Sequence, residues 1–187
     1  MSTSLSGEPL VAGAASGRLL HADIGLSFWG GVCSDTGSII DAHHPLHGAV
    51  VTGTVLAIPN GRGSCTGSQV LLELLLNGKP PAAILLRQPD EIIALGAIVG
   101  EELFGSEYRL PIVCLGDEGF AKAGEGYAHA HVALDGTVRL LSHQDDEPAR
   151  PTAGDGVRSA ASPYDASAYD ASAYDASASA SASPYDA

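Results

Sequence analysis

Aromatic residues are scarce in this chain, 5% of 187 positions, with a single Trp and three Phe. The core must therefore be aliphatic, and an apolar content of 45% supplies it. Basic residues are few, 9 Lys and Arg against 22 Asp and Glu, giving a net charge of −13. Residues 1–142 hold 14 acids against 7 bases and the remainder 8 against 2, so no basic stripe is left to neutralise phosphates. Nucleic-acid binding is accordingly not expected. No apolar run reaches the roughly 20 residues that cross a bilayer, so no membrane segment is expected. The first 17 residues are rich in Ser, Gly and Ala. They lack a basic start and a long apolar stretch, which argues against a signal peptide. Cysteine is limited to Cys33, Cys65 and Cys114. An odd, widely spaced set suggests reduced thiols in a cytoplasmic protein, not a disulfide framework.

What is present reads as a β-rich chain with a β-α-β-α-β middle. Residues 1–16 are expected to form a loose leader. Gly17–Leu20 and Leu26–Trp29 are candidate strands, and Ala49–Ile58, rich in β-branched residues, is a strand ending at Pro59. A helix follows Ser64 and stops at Asn77-Gly78 before Pro80-Pro81. Ala82–Leu86 is a short apolar strand. Asp90 caps a second helix running to about Leu103, with Ile92, Leu95, Ala97 or Ile98, and Leu103 as its expected inner face. Pro111–Leu115 is a further strand, and a Gly-rich turn is expected around Gly116 and Gly119. Asp135-Gly136 signals a hairpin between Ala128–Leu134 and Thr137–Leu141. Apolar strands alternating with helices predict an α/β domain with a buried, partly parallel sheet. From about His143 the composition turns polar and repetitive, with Tyr164, Tyr169 and Tyr174 recurring in Tyr-Asp-Ala units. Such a tail buries too little apolar surface to offset its ordering entropy, so residues 143–187 are expected to be disordered.

The segment Pro59-Asn60-Gly61-Arg62-Gly63-Ser64-Cys65-Thr66-Gly67-Ser68 carries the strongest chemical signal. A Gly-rich turn leads into hydroxyl residues and then an apolar helix. Helix starts present unpaired N–H groups and partial positive charge, which favour anions. Arg62 adds a planar fork suited to a carboxylate or phosphate. The spacing matches neither a Walker loop nor a dinucleotide fingerprint. Read conservatively, Ser64 or Ser68 is an N-cap and the glycines shape the turn.

Several further motifs accompany this loop: Leu26-Ser27-Phe28-Trp29-Gly30-Gly31, Asp35-Thr36-Gly37, Ile40-Asp41, His44-Pro45-Leu46-His47-Gly48 and Pro81-Ala82-Ala83-Ile84. In order and spacing they resemble the small, swivelling-domain subunit of the aconitase X family over residues 17–141. The resemblance implies a β/β/α swivelling domain across residues 17–142, closing over a larger partner that holds an iron or iron–sulfur centre. It implies a hydro-lyase acting on a small carboxylate substrate. The activities known in the family are dehydration of cis-3-hydroxy-L-proline and of phosphomevalonate, and the texture around Cys65–Leu76 and Glu101–Gly105 favours the first. The serine after Gly-Arg-Gly, Ser64, is then the base, with Arg62 stabilising its alkoxide or holding the substrate carboxylate. Gly63, Cys65, Thr66 and Ser68 are expected to line the substrate. The alternative of another class is a non-catalytic binding module.

The remaining candidates read as structural. His44 and His47 stand at i, i+3, but Pro45 argues for a turn over a metal pair, and no metal ligand is expected in this chain. Phe28 and Trp29 are expected in the core, with Gly30-Gly31 marking a close backbone approach. Asp35 and Asp41 are read as turn or cap residues, with a substrate-facing role left open. His129 and His131 share a strand face and are expected at the surface.

Overall fold

The computed structural model describes residues 2–142. Their strands are β1 (Ser2–Ser6), β2 (Glu8–Val11), β3 (Ala15–His21), β4 (Val55–Ile58), β5 (Ala83–Leu86), β6 (Ile112–Cys114), β7 (His129–Val132) and β8 (Thr137–Leu141). The helices are α1 (Thr66–Leu76), α2 (Glu91–Phe104) and α3 (Gly116–Ala123). The expected tail lies outside the described residues.

Side-chain alternation along the central strands sets the architecture. Leu56, Ile58, Ile84, Leu86 and Ile112 lie on one face and pack with Val70, Leu71 and Leu74 of α1 and Ile93 and Ala97 of α2. Val55, Ala57, Ala83, Leu85 and Val113 lie on the other and pack with Ala130, Val132, Val138 and Leu140 of β7 and β8, and with Phe120 and Ala123 of α3. Both faces are dry, as the continuous apolar runs predict. The layers are therefore antiparallel sheet, parallel sheet, helices.

The strand order is β1-β8-β7-β3-β4-β5-β6-β2. β3, β4, β5 and β6 run parallel to one another, and the outer pairings are antiparallel. The chain passes from one sheet to the other at two places, within β3 and between β1 and β2. Ala15–Arg18 of β3 pairs with β7, and Leu19–His21 pairs with β4. β1 pairs with β8 and β2 with β6, with only Gly7 between them, so residues 2–11 close the far side. Glycine stands at both crossings for lack of space. A Cβ on Gly17 would lie 2.5 Å from the Gly53 carbonyl oxygen, and one on Gly7 would strike Val113 Cγ1 and come within 2.9 Å of the Cys114 carbonyl oxygen.

Several expectations are corrected here. The expected loose leader of residues 1–16 is not found over residues 2–16: β1, β2 and the start of β3 occupy them, held by ladders to β8, β6 and β7 that composition does not reveal. Leu26–Trp29 is a loop, with Phe28 buried and Trp29 turned outward at 64% exposure. The Ala49–Ile58 strand shrinks to β4, because Thr54 folds its backbone N–H and hydroxyl back onto the Val51 carbonyl. The Gly116–Gly119 turn is the first half of α3. α2 is rotated relative to the expected face. Ile93, Gly96, Ala97 and Gly100 point inward, while Leu95, Ile98 and Leu103 are exposed. The small residues let α2 approach α1 closely: a Cβ on Gly96 would lie 2.8 Å from the Ser68 carbonyl oxygen.

Candidate active site

The loop after β4 is clamped from both sides before it enters α1. Leu26 donates its backbone N–H to the Asn60 carbonyl at 3.3 Å and accepts from Arg62 N–H at 3.0 Å. From the other side, Arg87 and Gln88 donate their N–H groups to the Pro59 carbonyl, both at 3.2 Å. Asp90 completes the clamp. Its Oδ1 accepts from Ile92 and Ile93 N–H, both at 3.0 Å, capping α2 as the sequence predicts. Its Oδ2 accepts from Gly61 N–H at 2.8 Å, tying that helix start to the loop. Gly63 then turns the chain at φ +106°, where glycine is favoured.

This clamping leaves Arg62, Gly63 and Ser64 around a shallow depression whose other walls include Phe28, Gly61, Ile92 and Ile93. Its volume is about 20 Å³, room for about one water, far below the hundreds of Å³ of an enclosed ligand pocket.

The α1 start differs from either expected cap. Cys65 is the N-cap residue and makes no side-chain cap bond. Ser64 Oγ instead accepts weakly from Thr66 N–H at 3.4 Å and donates to Thr66 Oγ1 at 3.1 Å. Ser68 turns its hydroxyl to the Cys65 carbonyl at 2.6 Å and sits in the α1–α2 contact, so it does not share the depression. Cys65 is exposed, and Thr66 lines the neighbouring groove, which also touches Cys33. The Thr36 hydroxyl, then backbone N–H groups of Thr36 and Asp35, hold the Cys33 thiol below its ordinary pKa.

Arg62 rests on Asp41, with Nη2 donating to Oδ2 at 3.3 Å. Asp41 is anchored by its Oδ1 accepting from His43 N–H at 2.9 Å. With Arg62 half exposed and Asp41 largely covered, the carboxylate holds the guanidinium at the mouth of the depression. The Asp41–Arg62 pair was not legible in the sequence, where 21 residues separate the partners. The cap at Asp90 was legible, but its second bond, to Gly61, was not.

The histidines do not converge. His44 is buried; its Nδ1 accepts from Leu46 N–H and its Nε2 faces the Ile24 carbonyl, both at 3.2 Å, so the proton is on Nε2. His47 Nδ1 contacts the Asp41 carbonyl at 3.2 Å. Among the described residues no three of His, Cys, Asp and Glu gather in a metal-binding group. No helix among them is long and apolar enough to cross a membrane.

The family description "aconitase X swivel domain" matches residues 4–140. The chain belongs to that family. Its swivel domain is 59% identical over 145 residues to cis-3-hydroxy-L-proline dehydratase of Pseudomonas aeruginosa, covering 76% of this chain and 24% of the relative. It is 43% identical over 95 residues to the phosphomevalonate dehydratase small subunit of Thermococcus onnurineus, covering 51% of this chain and 73% of that subunit. The crystal structure of Thermococcus kodakaraensis aconitase X in its holo-form superposes with a TM-score of 0.64 at 31% identity, over 75% of this chain and 99% of that one. The chain thus spans about a quarter of the length of the hydroxyproline dehydratase. The swivel fold, with its partly parallel central sheet, is the one expected from the sequence.

Proposed function

We propose that this swivel domain is the closing part of a hydro-lyase that dehydrates cis-3-hydroxy-L-proline to pyrroline-2-carboxylate, with Ser64 as the base. The observation that carries the reading is the 59% identity to a dehydratase of that substrate. The open Arg62–Ser64 wall supports it, since its depression of about 20 Å³ requires a second wall to enclose a substrate. That wall is a larger body, corresponding to the three quarters of the relative that this chain does not match.

In the closed complex Arg62 pairs with the substrate carboxylate or steadies the Ser64 oxygen, and Asp41 keeps its fork in place. Ser64, as its alkoxide, takes the proton from the carbon bearing the carboxylate. The electron pair left behind forms the carbon–carbon double bond as the C–O bond breaks, and hydroxide leaves on the side of the larger body. Thr66 N–H and the start of α1 stabilise charge on Ser64 Oγ. Gly63 permits close approach, and Cys65 and Thr66 border the substrate. An iron or iron–sulfur centre, assigned to the larger body in this reading, would supply the Lewis acid for the leaving hydroxyl. The place of action is the cytoplasm, in keeping with the free thiols.

A second reading is the small subunit of a phosphomevalonate dehydratase, favoured by the 73% of the Thermococcus onnurineus subunit that the chain covers. The test is to assemble the chain with its larger partner anaerobically with iron and to follow water loss from both substrates. Turnover of cis-3-hydroxy-L-proline alone supports the main reading, and turnover of phosphomevalonate alone replaces it with the second. An assembled, metal-loaded complex inactive on both would leave a non-catalytic binding module.

A further inference from the structure

Trp29 is the chain's single tryptophan, and it is 64% exposed. The turn that presents it is not slack. Phe28 is buried beneath it, Val32 N–H donates to the Phe28 carbonyl at 3.1 Å, and Ser27 Oγ donates to the Trp29 carbonyl at 2.7 Å. Gly31 completes the turn, where any Cβ would strike the Ser27 carbonyl oxygen. Beside Trp29, Ile40 is 51% exposed. The two flank a groove of about 340 Å³ that includes Val32 and Val70, has Ser34, Gln69 and Glu73 among its polar lining, and reaches Thr66. Thr66 is the residue whose hydroxyl receives the Ser64 hydroxyl, so groove and depression adjoin. Ile92 is exposed and lines the depression with Ser64, and Leu95, one turn further along α2, is exposed too. Exposed apolar groups thus adjoin the Arg62–Ser64 wall in both the groove and the depression.

Rigid, exposed aromatic side chains next to a functional cleft are what protein interfaces use as anchors. We propose that Trp29 and Ile40 form the anchor by which this domain docks on the larger body of the enzyme, a partner presenting an apolar pocket beside its own half of the site. This rests on the reading given under Proposed function. The depression needs a second wall along this same edge, and the Pseudomonas aeruginosa relative is about four times as long as the matched region. A second copy of this chain is the poorer occupant, because residues 1–142 carry 14 acids against 7 bases and two copies repel.

The single tryptophan makes the test direct. The full chain is labelled with 5-fluorotryptophan, which gives one fluorine resonance, and titrated with the unlabelled larger partner. Docking at Trp29 shifts that resonance and removes its dependence on H2O against D2O. Trp29→Ala weakens association about 10- to 100-fold while its circular dichroism and melting match the parent chain. Ile40→Ser weakens association to a lesser degree. A complex that forms and turns over substrate while the fluorine signal stays solvent-sensitive overturns the anchor and leaves the functional reading intact. A shift produced by raising the concentration of this chain alone, and not by the partner, assigns the patch to a second copy and overturns the proposal. Failure of the unmodified pair to associate overturns the anchor and the functional reading together.

Discussion

Asp90 is one carboxylate making three backbone hydrogen bonds across two elements, two to the α2 start and one to Gly61. Replacing it with Ala removes all three. Losing an N-cap costs about 1 kcal/mol. The bond to Gly61 N–H is charge-assisted and partly buried, a kind worth about 1.5–3 kcal/mol. Asp90→Ala should therefore destabilise the domain by about 2.5–4 kcal/mol. Asp90→Ser separates the contributions, because Ser caps α2 well but is too short to span the cap and Gly61 together. It should lose about 1.5–3 kcal/mol and leave α2 formed. Urea denaturation of the three proteins measures the stabilities, and hydrogen exchange at the Gly61 amide reports the loop directly. The serine variant should expose that amide while the amides of α2 stay protected. If Asp90→Ala unfolds within 0.5 kcal/mol of the parent, or if Gly61 remains protected in the serine variant, the clamp reasoning is wrong.

Three further outcomes are expected. Ser64→Ala should lower turnover of the assembled enzyme by roughly 100- to 10,000-fold, with a melting temperature within 1–2 °C of the parent because the side chain is exposed; retained turnover would remove Ser64 from the base role. Gly17→Ala places a Cβ 2.5 Å from the Gly53 carbonyl oxygen and 3.3 Å from Thr54 Cα, so it should cost about 1–3 kcal/mol in thermal or urea denaturation. Asp135 is held below its ordinary pKa chiefly by Thr137 N–H, which donates to its Oδ1 at 2.9 Å. Its contribution is present above the ordinary carboxylate pKa and disappears as pH falls through the lowered value. Asp135→Asn keeps an acceptor but does not titrate, so denaturation midpoints from about pH 5 to pH 2 should fall less steeply for the variant; parallel curves would contradict the assignment.

Much of this domain was legible because its signals are local. The Asn77-Gly78 stop of α1, the cap at Asp90, the apolar strands β5 and β6 and the Asp135-Gly136 hairpin each depend on residues within a few positions. The turn from Pro59 to Ser64 leading into α1 was legible for the same reason. Two of the errors share one cause, which is distance along the chain. β1 and β2 look like a loose leader because their ladders lie on β8 and β6, more than 100 residues away. The outward turn of Leu95, Ile98 and Leu103 follows from the close α1–α2 approach at Gly96, and that approach depends on Ser68 of the other helix. Trp29 was expected in the core on hydrophobicity alone, yet the turn over Phe28 exposes it. The sequence by itself determined helices α1 and α2, strands β5 and β6 and the β7–β8 hairpin, since propensities and caps act over a few residues. Tertiary structure alone decided which strands close the sheets, which face of α2 is buried and which carboxylates, Asp41 and Asp90, hold Arg62 and Gly61, because only packing brings together groups 20 or more residues apart.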